Sequence, residues 1–178
     1  MRSRDWSKIL IGMAIVAPIP YVAQAAVYLS ENEAATILFP DVKLEPRWMD
    51  LSMQEVKTIE KNSGERVRSQ RVRVWWGRNR QAIIIDRVLG KHEFITYAVA
   101  ITPDGKIKGI EILDYRETYG YQIREPQWRR KFVGKNMEDP LKLDKDIPNI
   151  SGATLSSAHV TNGVRRVLHI YEILKTKI

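Results

Sequence analysis

Residues 149–175 read NISGATLSSAHVTNGVRRVLHIYEILK, and the rest of the chain is organised around them. Val160, Val164, Val167, Leu168, Tyr171 and Leu174 recur at helical spacing, with Asn162, Arg165, Arg166, His169, Glu172 and Lys175 on the opposite side. That pattern predicts an amphipathic helix packed by one face. Before it comes a turn of small residues, Ser151-Gly152-Ala153-Thr154, which delivers Ser156 and Ser157 to the helix start. Such a junction offers free backbone N–H groups and the positive end of the helix dipole, and an anion fits there. It also reads as a glycine turn and a serine N-cap before a docking helix.

Upstream, the hydrophobic period changes from 3.6 to two. Val72, Val74 and Trp76 alternate with Arg71, Arg73 and Trp75, which predicts a strand with one wet face. Ala82 to Val88 reads as a second, more buried strand, and Phe94 to Ile101 as a third that runs into the turn Thr102-Pro103-Asp104-Gly105. Lys106 to Leu113 returns as a fourth. Ile107 falls out of phase with Ile110 and Ile112, so a bulge is expected at Gly109. An antiparallel meander is the simplest arrangement. Nearer the N-terminus, Ser30–Glu33 and Ser52–Glu55 are capping boxes, each opening a short helix; Pro40 ends the first, Asn62-Ser63-Gly64 the second. The expected fold is therefore α+β, an antiparallel sheet with packed helices.

The chain has 178 residues, of which 44% are hydrophobic and 28% charged, enough for one domain with a real core. Cysteine is absent. That excludes disulfides, cysteine-ligated metal, iron–sulfur clusters and thioether-bound haem. His92, His159 and His169 have no partner at metal-ligand spacing, and no nucleophile elbow surrounds Ser157 and His159. Neither a dinucleotide fingerprint nor a P-loop occurs.

Residues 1–8 are basic, residues 9–19 almost wholly apolar, and Pro20 precedes a small-x-small end at Ala23-Gln24-Ala25. This is the plan of an export signal, cleaved after Ala25. The alternative is an uncleaved anchor over residues 9–29, which carry no formal charge. Both send the remainder to the outer, extracytoplasmic side. Cleavage removes Arg2, Arg4, Lys8 and Asp5, taking the net charge from +8 to +6. The arginines and tryptophans of residues 66–80 can bind single-stranded nucleic acid, but arginines alternating on a strand read first as a solvated face. An exported domain does not meet nucleic acid, so the charge is better read as docking on a membrane surface or an acidic redox partner.

SGATLSS followed by a valine-bearing helix resembles the flavinylation motif of the FMN-binding domain family. That family includes the C subunit of the sodium-pumping NADH:quinone reductase and the G subunit of the Rnf complex. A second motif lies in the family's order: Glu117-Thr118-Tyr119-Gly120 resembles its Glu-Thr-Pro-Gly segment, with Tyr119 where proline is usual. Trp128, Phe132 and Gly134-Lys135 match the Trp…Phe…Gly-Lys stretch that follows, and Phe39-Pro40 matches the family's opening helix end. The resemblance implies FMN joined through its phosphate to Thr154, installed by a flavin transferase. Ser151, Gly152, Ala153, Leu155 and Ser156 would surround the attachment, with the helix start near Ser156 and Ser157 stabilising the phosphate. Glu117, Thr118, Tyr119 and Gly120 would form a wall beside the ring, and Trp128 and Tyr121 are candidates for stacking on it. The family usually has an acidic residue three positions before the SGAT serine; Pro148 stands there, and Asp146 lies two further upstream.

The expected organisation is a signal peptide or anchor over 1–25, a helical segment over 26–64, and an FMN-binding domain over 65–178. The expected function is electron transfer between a donor and an acceptor protein, such as a membrane complex or a cytochrome. The chain would serve as a carrier or as one component of an oxidoreductase, with no catalytic base of its own. A tethered flavin suits an exported carrier, because it is not diluted away.

Overall fold

The computed structural model describes residues 28–178. The export signal or anchor read from the N-terminus falls within residues 1–27, outside the described residues. Five antiparallel strands form one sheet in sequence order: β1 (Glu45–Asp50), β2 (Arg71–Trp76), β3 (Ala82–Leu89), β4 (Phe94–Ile101) and β5 (Ile107–Asp114). The α+β class and the meander are as expected, and one strand is added. β1 pairs with β2 along its whole length, so the 26–64 segment contributes an edge strand to the same sheet. Its side chains are mostly exposed and it contains Pro46. An edge strand tolerates both, and neither writes a period-two signal. The bulge is found where Gly109 predicted it. Ala100 opposes Gly109 while Ile101 opposes Ile107, leaving Lys108 unmatched.

Helices cover both faces. On one side α2 (Met53–Ser63) and the long C-terminal α4 (Thr154–Leu174) bury Val56, Ile59, Val160, Val164 and Tyr171 against Val74, Ile84, Tyr97 and Val99. On the other, α1 (Glu31–Leu38) covers Trp75, Ile83, Ala98 and Ala100 with Ala34, Leu38 and Phe39. The wet face expected for β2 is therefore only partly wet: Trp75 is buried, and Arg73 pairs with Glu31 of α1 at 2.9 Å. Both capping boxes are formed, and Gly64 closes α2 in the left-handed region at φ 72°.

α4 spans 21 residues, about 30 Å. Its predicted apolar face is wholly buried. Its other side departs from expectation at Arg166, which is 3% exposed. The Arg166 guanidinium pairs with Asp86 at 2.5 Å and donates to the Arg66 carbonyl at 2.9 Å. Tyr97 donates to the same Asp86 at 2.7 Å. α4 touches β3, β4 and α2 at once, so less of its surface reaches solvent than a helix docked on the sheet alone would leave. Among the described residues no helix is long and apolar enough to cross a membrane.

Candidate functional site

The SGAT turn becomes the N-terminus of α4. Gly152 has φ 79°, and a β-carbon there would meet nothing within 4 Å. Glycine is required for the left-handed backbone and not for space. Ala153 is the N-cap residue, its N–H on the Ile150 carbonyl at 2.9 Å, and the helix begins at Thr154. This corrects the expected start near Ser156 and Ser157, and it removes the serine cap. Ala153 has no side-chain oxygen, among the described residues no side chain caps the helix, and its first turn holds no acidic residue. The opening amides of α4 are thus left for water or an anion. Both serines turn inward. Ser157 Oγ donates back to the Ala153 and Thr154 carbonyls at 3.0 and 3.1 Å, and Ser156 Oγ lies 3.3 Å from the Tyr115 hydroxyl. Thr154 and Leu155 are exposed.

The second motif is fixed against this turn from below. Tyr115, 2% exposed, donates its hydroxyl to the Tyr119 carbonyl and touches Ser156. Burial pushes the Tyr115 phenol up, so it stays a neutral donor. Gly120 follows at φ 93°. A β-carbon there would stand 2.5 Å from the Tyr115 hydroxyl and 2.9 Å from Ala153 Cβ. Glu117 reaches the other way, into the β3–β4 turn, where Oε1 accepts the His92 and Glu93 amides at 2.6 and 3.0 Å. Burial raises the Glu117 carboxyl, but the amides of His92, Glu93 and Lys91 outweigh it, and the group ends below its ordinary value. Gly90 makes room, since a β-carbon there would meet Glu117 Oε1 at 2.5 Å. His159 of α4 ties the same turn by a hydrogen bond to the Leu89 carbonyl.

These contacts enclose a cavity of about 370 Å³. Gly152 to Ser156 line one side, and Glu117, Thr118 and Tyr119 the other. Of the residues expected around the attachment and in the wall beside the ring, Ser151 and Gly120 are absent from its lining; Gly120 instead packs against Ala153 and Tyr115. Lys91 and His92 close the cavity and were not foreseen. They stand some 60 positions upstream of Thr154, on a hairpin turn whose sequence carries no motif. Tyr115 was missed for the same reason.

The stacking candidates fare differently. Trp128 is buried, edge-on to Phe132 at 5.0 Å, with its indole N–H on the Pro148 carbonyl at 2.8 Å. It supports the loop leading into SGAT and does not line the cavity. Tyr121 is exposed but also lies outside the lining. Asp146 is held within its own turn by the Leu141 and Lys142 amides and by Lys135 Nζ at 3.0 Å. Burial raises its carboxyl, yet those partners bring it below its ordinary value. Asp146 is therefore a structural anchor for Lys135 rather than a free acid beside the attachment turn.

Another cavity, about 400 Å³, opens where β2 and β3 part, among Arg68, Arg71, Arg73, Arg87 and Arg166. Two of these cations are paired with acids on its own walls, Arg73 with Glu31 and Arg166 with Asp86. None of the residues expected to bind cofactor lines it.

Residues 90–169, which carry the whole of the 370 Å³ cavity, match the FMN-binding domain. The match agrees with the resemblance drawn from the two motifs. A curated relative, the G subunit of the Na(+)-translocating ferredoxin:NAD(+) oxidoreductase complex of Acetobacterium woodii, is 32% identical over 83 residues. The match covers 42% of this chain and 40% of that relative, so the chain spans well under half the length of the protein it matches. Among solved structures, the C subunit of the Na(+)-translocating NADH-quinone reductase from Parabacteroides distasonis aligns over 78% of this chain and 84% of its own. Its identity is 17% and its TM-score 0.46. The fold class rests on the strand order and helices described above.

Proposed function

We propose, from the match of residues 90–169 to the FMN-binding domain, that this chain is an exported electron-transfer flavoprotein with FMN joined through its phosphate to Thr154 Oγ. The observation that carries the reading is the exposed Thr154 hydroxyl at the first position of an uncapped helix, on the wall of a cavity shared with Glu117–Tyr119. The donor set suits a phosphate. Thr154 supplies the esterified oxygen, the opening amides of α4 supply hydrogen bonds and partial positive charge, and Lys91 supplies a full one. Making the ester needs an activated flavin phosphate delivered by a transferase. Thr154 Oγ bonds to phosphorus, the hydroxyl proton leaves, and the other half of the phosphoanhydride departs. FMN supplies reversible electron transfer, and the protein supplies position and tuning.

In this reading the donor and acceptor are redox proteins, and the chain works on the outer side of a membrane. The relative's description as part of an oxidoreductase complex favours a second reading, in which the chain is the flavin-bearing component of a larger membrane-anchored assembly. The cofactor and its attachment are the same in both.

The test is a denaturing gel of the full chain produced with a flavin transferase and viewed under ultraviolet light. Wild type is expected to fluoresce and Thr154→Ala to be dark. A dark wild-type band overturns the covalent reading; if the folded protein also carries no flavin absorbance, a non-redox module that binds an anion or a partner at the same helix start is left. Sequencing the N-terminus of the exported protein separates a carrier cleaved after Ala25 from an anchored protein beginning at Met1.

A further inference from the structure

Tyr119 is 78% exposed. An exposed aromatic is ordinary taken singly; what sets this one apart is the backbone beneath it. The Tyr119 carbonyl is held by the buried Tyr115 hydroxyl, which also touches Ser156 on the first turn of α4. The next residue, Gly120, is pressed against Ala153. The ring is therefore carried on a base fixed relative to Thr154, and Tyr119 lines the cavity that Thr154 lines. Among the described residues no other phenol, phenyl or indole ring lines that cavity. Trp128 is buried with its N–H engaged, and Phe94 lies under Arg87 at 5.0 Å. On the helix side of the cavity stands Leu155, 48% exposed. Tyr119 and Leu155 are the two large apolar residues of this lining, beside the hydroxyl proposed as the tether.

We infer that the Tyr119 ring is the stacking surface for the isoalloxazine ring of a flavin tethered at Thr154, with Leu155 as a second apolar contact. This rests on the flavin reading above. A tether at the phosphate leaves the ring free to swing on the ribityl chain, and an aromatic face on a fixed base gives it a resting place. Tyr119 also stands where the family's usual residue is proline, so this chain places a stackable ring where the family's pattern has an aliphatic one.

The test compares the full-length flavinylated wild type with Tyr119→Ala and Tyr119→Phe. Flavin per protein is read on the denaturing gel, and fluorescence and visible absorbance are read in the folded state and again after unfolding in guanidinium. A phenol in contact with an isoalloxazine ring quenches its emission. Folded wild type is expected to be several-fold dimmer than the same sample unfolded. Tyr119→Ala, with equal flavin per protein, is expected to lose most of that quenching. Tyr119→Phe is expected to keep the wild-type absorbance contour, because the stack survives, while its emission rises. Both variants keep the backbone carbonyl that Tyr115 uses, so the fold is retained. A fully flavinylated Tyr119→Ala whose folded emission and absorbance match wild type overturns this inference alone. A wild-type band without flavin overturns the parent reading and this inference with it, and the gel distinguishes the two failures.

Discussion

Gly120 and Ala153 stand so close that a β-carbon on the glycine would lie 2.9 Å from the alanine methyl. Thirty-three positions apart in sequence, these two residues are where the Glu-Thr-Tyr-Gly segment and the SGAT turn become one site. The contact allows no side chain at 120, and the φ of 93° disfavours one independently.

Gly120→Ala and Gly152→Ala separate those two requirements. Both positions have positive φ, but a β-carbon at 152 meets open space. Gly152→Ala is expected to lower stability by about 1 kcal/mol, the cost of a left-handed residue alone. Gly120→Ala adds overpacking against Tyr115 and Ala153 and is expected to reach roughly 3 kcal/mol. Urea midpoints at unchanged m-value measure the difference, and equal losses would refute the steric account.

Ala153→Ser is expected to trade function for stability. Ala153 is the N-cap residue and offers no oxygen to the opening amides of α4. A serine there supplies one and is expected to stabilise the flavin-free protein by about 1 kcal/mol. The same hydroxyl competes for the donors proposed to receive the phosphate, so flavin attached per protein is expected to fall. A thermal melt and the fluorescent gel read the two effects on one preparation.

The Glu117 tie between the two halves of the site depends on pH in a defined direction. Its carboxyl is below the ordinary value when folded because the amides of the β3–β4 turn outweigh its burial. A depressed folded value means that the stabilisation is present above roughly pH 4.3, the unfolded value. It is lost as the pH falls through the lower folded one. Amide exchange at His92 and Glu93 is expected to accelerate over that acidic window beyond its intrinsic pH dependence. Glu117→Gln is expected to show faster exchange already at neutral pH and no extra acid step.

Trp128 is expected to matter for the loop rather than the flavin. Trp128→Phe removes the donor to the Pro148 carbonyl and some buried ring volume, at about 2 kcal/mol. Hydrogen exchange over residues 149–153 is expected to rise. The visible spectrum of the flavinylated variant is expected to be unchanged, because Trp128 does not line the cavity.

Arg166 tests the α4–sheet contact. Arg166→Ala leaves Asp86, mostly buried, with the Tyr97 hydroxyl as its one remaining side-chain partner among the described residues. The expected loss is roughly 3 kcal/mol, the low end for a broken buried pair. Asp86→Asn combined with Arg166→Met is expected to recover much of it, and a denaturant series on wild type and the two variants checks this.

Sequence alone determined what repeats or caps locally. The α4 face from Val160 to Leu174 follows from a 3.6-residue period, and the four predicted strands follow from alternation or from apolar runs bounded by turn residues. The bulge beside Gly109 follows from a break in phase, and both early helix starts from capping boxes; each is set by neighbours within a few residues. The two site motifs were legible only through their resemblance to a known family, as short ordered strings. Tertiary structure decided what depends on residues far apart in the chain. α1 folds back to cover the second face at Trp75, Arg166 is buried against Asp86 of β3 and the Arg66 carbonyl, and Trp128 serves Pro148. β1 exists because β2 offers an open edge, and its own exposed residues never announced it. The cavity wall of Lys91 and His92 comes from a hairpin tip brought to Thr154 by Glu117 and His159, through hydrogen bonds that no local pattern encodes.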